Sequence, residues 1–145
     1  MSNIYSLFHT NKVIGGVGSI QQLADIVENF QATKTIIITD IGVFNAGLID
    51  QPKSILEKNG VEVHVINDTP PEPPLNKVQE IYQVAKELNS QVIIGIGGGS
   101  AMDTAKLVAI ALNNSIELQD VVDGKAKFKN RGIPTIMIPT TSGTG

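Results

Sequence analysis

Hydrophobic positions along this chain follow two alternating periods. Short unbroken apolar runs recur, and between them apolar residues return every three or four positions, the pattern of strands alternating with amphipathic helices. Lys34–Thr39 (KTIIIT), Val61–Ile66 (VEVHVI), Val92–Ile96 (VIIGI) and Ile133–Pro139 (IPTIMIP) predict strands, and Ile4–Phe8 with Lys12–Ile14 predict a short N-terminal hairpin. Helices are predicted over Ile20–Phe30, part of Leu48–Asn59, Asn76–Leu88 and Ala101–Leu112. In the first, Ser19 and Gln22 have capping-box spacing, and Ile20, Leu23, Ala24 and Val27 share a face. Val78, Ile81, Ala85 and Leu88 form the stripe of the third, and Ala101, Ala105, Val108 and Leu112 that of the fourth. Gly60 suits the left-handed position that ends a helix, and Asn113-Asn114 stop the last one.

The connections carry their own signals. Asn67–Pro74 (NDTPPEPP) holds four of the seven prolines, which predicts an extended hinge or rim, because proline lacks an amide proton and restrains the residue before it. Asp40-Ile41-Gly42 is expected to open a ligand-facing loop, and Val121–Arg131 (VVDGKAKFKNR) a mobile loop or turn. The alternation gives an α/β fold with a doubly wound, mostly parallel sheet and an N-terminal β-hairpin.

Composition narrows the function classes. A chain of 145 residues fits one self-supporting domain, able to bury roughly 68–70% of its unfolded surface. The absence of cysteine excludes a disulfide scaffold, a thiol nucleophile and a cysteine-ligated metal, and fits a reducing compartment. With 11 Lys+Arg against 14 Asp+Glu, a net charge of −3 supplies no basic field, so no nucleic-acid partner is expected. No leader pattern stands at the N-terminus, and no stretch approaches the roughly 18–20 apolar residues of a membrane span. A cytoplasmic protein without a membrane partner is expected.

The strand–glycine–helix unit VIIGIGGGSAMDTAK carries the clearest chemistry. Gly97, Gly98 and Gly99 let a backbone approach a ligand closely, and the helix start beyond them presents unpaired amides to negative charge, as a phosphate needs. A tight β–α turn without ligand is the plainer reading of the same glycines. Ser100 is expected to cap that helix, with Asp103 at the capping-box position, so Asp103 either caps or touches a ligand. Lys106 is a solvated or phosphate-rim residue. The loop runs Gly99-Ser100-Ala101 where a Walker A sequence needs Gly-Lys-Ser/Thr, and it does not follow the first strand as G-x-G-x-x-G would. Asp40, closing KTIIIT, either bonds the ribose hydroxyls of an adenosine or forms an Asx-turn before Gly42. The closing TTSGTG offers hydroxyls and amides with little bulk, suited to a cofactor wall or to a simple polar turn. His9 and His64 lack the paired spacing of metal ligands.

GGGSAMDTAK followed by PTTSGTG, together with the G-x-G-S before the first helix, the ITD strand end and the PPEPPL connection, resembles the N-terminal domain of the iron-containing (group III) alcohol dehydrogenases. The resemblance covers the whole chain. It implies a Rossmann-like domain that binds NAD(P) against a helical C-terminal domain, where an aspartate and three histidines hold a divalent metal, Fe2+ or Zn2+. By that resemblance Gly97, Gly98, Gly99 and Ser100 hold the pyrophosphate, and Thr140, Thr141 and Thr144 contact the pyrophosphate or nicotinamide side. Asp40 meets the adenosine ribose, an aspartate there implying NAD over NADP. Dehydroquinate synthases and glycerol dehydrogenases share the glycine loop, but Ser100 and DTAK favour the alcohol dehydrogenase branch. Glu72 stands where many members have asparagine. Ending at Gly145, the chain is expected to be a truncated dinucleotide-binding domain, 1–145, inactive alone. The parent enzyme, expected as a homodimer, would move a hydride between an alcohol or aldehyde and NAD. The alternative is a non-enzymatic nucleotide- or phosphate-binding module.

Overall fold

β-branched runs that can be covered on both faces take the centre of the sheet. A computed structural model describes residues 5–8, 12–114 and 116–140. Strands β3 (Lys34–Ile38), β4 (Glu62–Ile66), β5 (Val92–Gly97) and β6 (Thr135–Pro139) form one parallel sheet in the order β4-β3-β5-β6. Ile36 pairs with His64 on one side and Ile93 on the other, and Gly95 pairs with Met137. Strands β1 (Tyr5–Phe8) and β2 (Lys12–Gly15) make the expected antiparallel hairpin.

Helices cover both faces of the sheet. On one side Ile36, Ile38 and Ile93 pack with Val78, Ile81 and Ala85 of α4 (Leu75–Glu87) and Ala105, Val108 and Ala109 of α5 (Gly99–Asn114). On the other, Ile37, Ile94 and Ile96 pack with Leu23 and Val27 of α1 (Leu23–Asn29), and with Ile49 and Leu56 at α3 (Asp50–Lys58). The alternation of Ile36 and Ile38 against Ile37 is the two-residue period of a strand buried on both faces. This is the doubly wound α/β arrangement predicted from the pattern. The chain leaves β3 toward β4, crosses back through α4 to β5, and continues outward to β6. The direction therefore reverses between β3 and β5, and their C-terminal ends flank the crevice where open α/β sheets bind ligands.

Gly95 sets how closely α5 lies on the sheet. A Cβ there would stand 3.1 Å from the Ala105 Cβ, 3.2 Å from the Met102 Cα and 3.2 Å from the Met137 Sδ. The small residues Ala101 and Ala105 complete the close seat, fixing where the helix start sits relative to the strand end.

Several local expectations change. The Ser19/Gln22 capping box does not form: Ser19–Gln22 is a 3-10 turn and α1 begins at Leu23, with no side-chain cap. Backbone carbonyls satisfy that turn, Gly16 O accepting from the Ser19 amide and Gly18 O from the Gln21 amide. Ile41–Asn45, expected as loop, is a short helix, α2. Helix α5 starts at Gly99 and runs through Asn114 instead of stopping before Asn113. The predicted loop 121–131 begins inside another short helix, α6 (Leu118–Val122). Beyond it, Asn114 ties the chain down, its Oδ1 accepting the amides of Lys129 and Asn130 and its Nδ2 donating to the Asn130 carbonyl. The proline segment 67–74 holds no helix or strand, as predicted, but it is not extended throughout: it bends at Pro71-Glu72, where Glu72 takes φ 45°.

Candidate functional site

Parallel strands place their C-terminal ends on one edge, and three of those ends carry the chemistry. β3 ends toward Asp40, β5 runs into Gly97–Gly99, and β6 ends toward Thr140. The β6 end is fastened to the glycine loop, since the Thr140 amide donates to the Gly97 carbonyl at 3.1 Å.

Asp40 performs the structural role open to it. It is the extended N-cap of α2, and its Oδ1 accepts the Val43 amide at 2.8 Å. Its Oδ2 lies 3.3 Å from the position of a Cβ built on Gly97, so the carboxylate also borders the glycine loop. The cap uses one oxygen and leaves the second facing that crevice edge, which makes the cap and a ribose contact compatible.

The three glycines are not equivalent. Gly97 has φ 145° and is boxed in by Ala101 and Asp40, whereas a Cβ on Gly98 or Gly99 would meet nothing within 4 Å. Open space over these two residues is the room in which a ligand could approach bare backbone. Immediately beyond, the first amides of α5 have no intrahelical acceptor, and the helix dipole adds positive potential. Residues present here therefore fit a dinucleotide pyrophosphate.

Ser100 is not the N-cap expected from the sequence. It lies in the first turn of α5, where its Oγ accepts the Glu72 amide at 3.2 Å and its carbonyl accepts the Thr104 hydroxyl at 2.7 Å. With the helix starting at Gly99, two residues before the predicted Ala101, the capping-box register is lost. Asp103 is exposed and caps nothing among the described residues. Lys106 is exposed as well. Thr141 and Thr144 lie outside the described residues, as does His9, and His64 is exposed on the edge strand β4.

Two further features went unread in the sequence. Glu72 enters through its backbone, and only its place between proline pairs hinted at a special role. Gly95 was legible in principle, because it stands two residues before Gly97 and shares its face of the strand. The buried hydroxyls of Thr39 and Thr69 lack hydrogen-bond partners among the described residues, and the Thr69 amide donates to the Thr39 carbonyl. A separate open groove of about 250 Å³, lined by His64, Asn67, Asp68, Lys77 and Glu80 among others, includes no residue of the glycine loop. Its Lys77 ammonium is already held by Asp68 at 2.7 Å and Glu80 at 3.0 Å, which raise its pKa against the opposing cost of burial. Free backbone amides, not cavity size, favour the glycine loop as the site.

Among the described residues, no three or more His, Cys, Asp or Glu side chains gather to hold a metal ion. A donor set for Fe2+ or Zn2+ is not present among them. No helix among the described residues is long and apolar enough to cross a membrane.

A doubly wound parallel sheet with a glycine-rich strand–helix junction at its reversal point defines a Rossmann-like α/β domain. The chain belongs to the iron-containing alcohol dehydrogenase family, whose pattern matches residues 10–145. It is 39% identical over 132 residues to long-chain-alcohol dehydrogenase 1 of Geobacillus thermodenitrificans, covering 90% of this chain and 33% of that protein. Choline dehydrogenase of Bacillus subtilis is 35% identical over 132 residues, with 90% and 33% covered. Among solved structures, NADH-dependent butanol dehydrogenase A from Thermotoga maritima superposes with a TM-score of 0.79 at 29% identity, covering 88% of this chain and 32% of that one. The chain thus spans about a third of the length of the curated relatives it matches.

Proposed function

We propose that residues 1–145 form the NAD-binding domain of a metal-dependent alcohol dehydrogenase that transfers a hydride between an alcohol or aldehyde and NAD(H). The observation that carries this reading is the junction at the sheet's reversal point. There the unobstructed Gly98 and Gly99 and the start of α5 follow Gly97, which is bordered by Asp40 and whose carbonyl accepts the Thr140 amide. NAD supplies the hydride acceptor when bound. In this reading the amides of Gly98, Gly99 and Ser100 and the Ser100 hydroxyl hold the pyrophosphate, while Gly97 gives the loop its path. Asp40 receives the ribose hydroxyls on its Oδ2 side, and its charge disfavours a 2′-phosphate. Thr140, with Thr141 and Thr144, lines the nicotinamide side, and Asp103 meets the cofactor only at the rim. The Thermotoga maritima neighbour is an NADH-dependent butanol dehydrogenase, which supports NAD as the cofactor. Metal ligands and most of the alcohol pocket belong, on this proposal, to a further helical domain. A homodimer and a cytoplasmic setting complete the reading, the latter in keeping with the absence of cysteine.

Calorimetric titration of the chain with NADH and, separately, NADPH tests it. Saturable NADH binding that disappears in Gly99→Asp is the expected result. Binding of neither dinucleotide overturns the proposal. The chain alone should oxidise no alcohol even with added iron or zinc, and turnover under those conditions would refute the division of labour.

A further inference from the structure

Four of the five residues of Pro70–Pro74 are prolines, so this segment owns a single backbone amide, that of Glu72. That amide donates to the Ser100 Oγ across 28 positions of sequence. Reaching it requires a conformation the local sequence resists. A residue before proline favours extended backbone, yet Glu72, which precedes Pro73, has φ 45° in the left-handed region that non-glycine residues rarely enter. Backbone held in such a region persists only where the surrounding structure enforces it, and such strain gathers at ligand sites. Here the segment is anchored at both ends. The Thr69 amide bonds the Thr39 carbonyl behind it, and α4 begins at Leu75 ahead of it, with the Lys77 and Val78 amides on the Pro74 carbonyl.

The consequence falls on one proton. A serine hydroxyl donates one hydrogen and accepts through its lone pairs. With the Glu72 amide on the Ser100 oxygen, the hydroxyl hydrogen points away from that donor and is left to serve another acceptor. The Ser100 carbonyl is occupied separately by the Thr104 hydroxyl, which steadies the residue within the helix. We infer that the proline segment is a positioning strap: Glu72, acting through its backbone amide, turns the Ser100 hydroxyl into a fixed donor for an anionic phosphate oxygen at the start of α5. This inference rests on the proposed pyrophosphate site and assigns its donor geometry to residues distant in sequence.

A double-mutant cycle tests the strap in the 145-residue chain, using NADH and inorganic pyrophosphate as titrants. Glu72→Pro deletes the amide together with the φ of 45° that presents it, since proline fixes φ at about −65°; Ser100→Ala deletes the hydroxyl, and the third variant carries both changes. NADH binding is expected to weaken about tenfold in each single variant, the effect of one charge-assisted hydrogen bond, and no further in the double variant. Equal additional weakening in the double variant overturns the inference. A readout that needs no ligand guards against misfolding of Glu72→Pro. Hydrogen exchange at the Glu72 amide should accelerate in Ser100→Ala and return toward the parent rate in Ser100→Thr, which restores a hydroxyl. Unchanged exchange in Ser100→Ala overturns the strap. The two proposals fail separately. NADH binding indifferent to the strap sinks only this inference, whereas strap-dependent pyrophosphate binding without NADH binding sinks only the dinucleotide reading. Binding of neither titrant sinks both.

Discussion

The Asp40 carboxylate stands between a helix and a glycine: Oδ1 holds the Val43 amide at 2.8 Å, and Oδ2 lies 3.3 Å from where a Gly97 side chain would begin. This contact links the end of one central strand to the end of the next. It makes the cap of α2 and the path of the glycine loop mutually dependent, and it gives the two ends of the crevice opposite polarity, a carboxylate on one side and helix-start amides on the other.

Gly97 and Gly99 should therefore separate stability from binding. Gly97→Ala combines a φ of 145° with contacts of 3.3 Å to both Ala101 and Asp40, and it should cost about 1–3 kcal/mol in urea unfolding. Gly99→Ala places its methyl in open space, so stability should stay within about 0.5 kcal/mol of the parent while NADH affinity falls. Equal stability of the two variants would contradict this division.

At Asp40, the cap and the charge can be told apart. Asp40→Ala removes the α2 cap and should destabilise by about 1 kcal/mol, whereas Asp40→Asn keeps a capping oxygen and should lose little. Both changes remove the negative charge, so both should shift the ratio of NADPH to NADH affinity upward in titration. A ratio unmoved by Asp40→Asn would place the carboxylate away from the ribose.

Asn114→Ala should loosen the basic segment after α6. The side chain accepts from the Lys129 and Asn130 amides at 3.0 and 2.9 Å, and donates to the Ile110 and Asn130 carbonyls at 2.9 Å each. Loss of this partly exposed set should cost about 2 kcal/mol, from roughly 0.5–1.5 kcal/mol per bond with solvent replacing part of it. Amide exchange should quicken at Lys129 and Asn130 first, and unaltered exchange there would argue against the clamp.

The Lys77 ion pairs predict a pH dependence on the alkaline side. Asp68 and then Glu80 raise the Lys77 pKa above its ordinary value of 10.5, so the folded state binds the proton more tightly than the unfolded chain does. Their contribution is complete below the unfolded pKa and fades as pH rises through the higher folded value. Both carboxylates are mostly exposed, which limits it to about 0.5–1 kcal/mol. The stability gap between the parent and Lys77→Met in denaturant should be present at pH 8 and shrink above about pH 10.5. A constant gap would assign the loss to packing instead.

Reading the elements from sequence succeeded where the signal was local and long. Thirteen residues of α4 and sixteen of α5 repeat their apolar stripe over several turns, β5 is without a polar side chain, and β3 carries three successive isoleucines. The five-residue helices α2 and α6 are too short to display a helical period, and their segments therefore read as loop. The same limit misplaced two caps. Ser19 and Ser100 have the spacing of capping residues, but the backbone at Gly16–Gly18 and the early start of α5 at Gly99 took over that work.

By itself the sequence determined the α/β class, the proline connection without helix or strand, the glycine junction and membership of the iron-containing alcohol dehydrogenase family, because these are carried by local hydrophobic periods and short motifs and by their order along the chain. Tertiary structure alone decided which groups meet. It set the Glu72 amide on Ser100, 28 positions away, and the Gln91 carboxamide oxygen on the Thr33 amide, 58 positions away. It also brought α5 close enough to β5 to require glycine at 95. Such contacts arise from how the crossovers stack β3, β5 and β6, and side-chain chemistry carries no local mark of the partner that stacking will deliver.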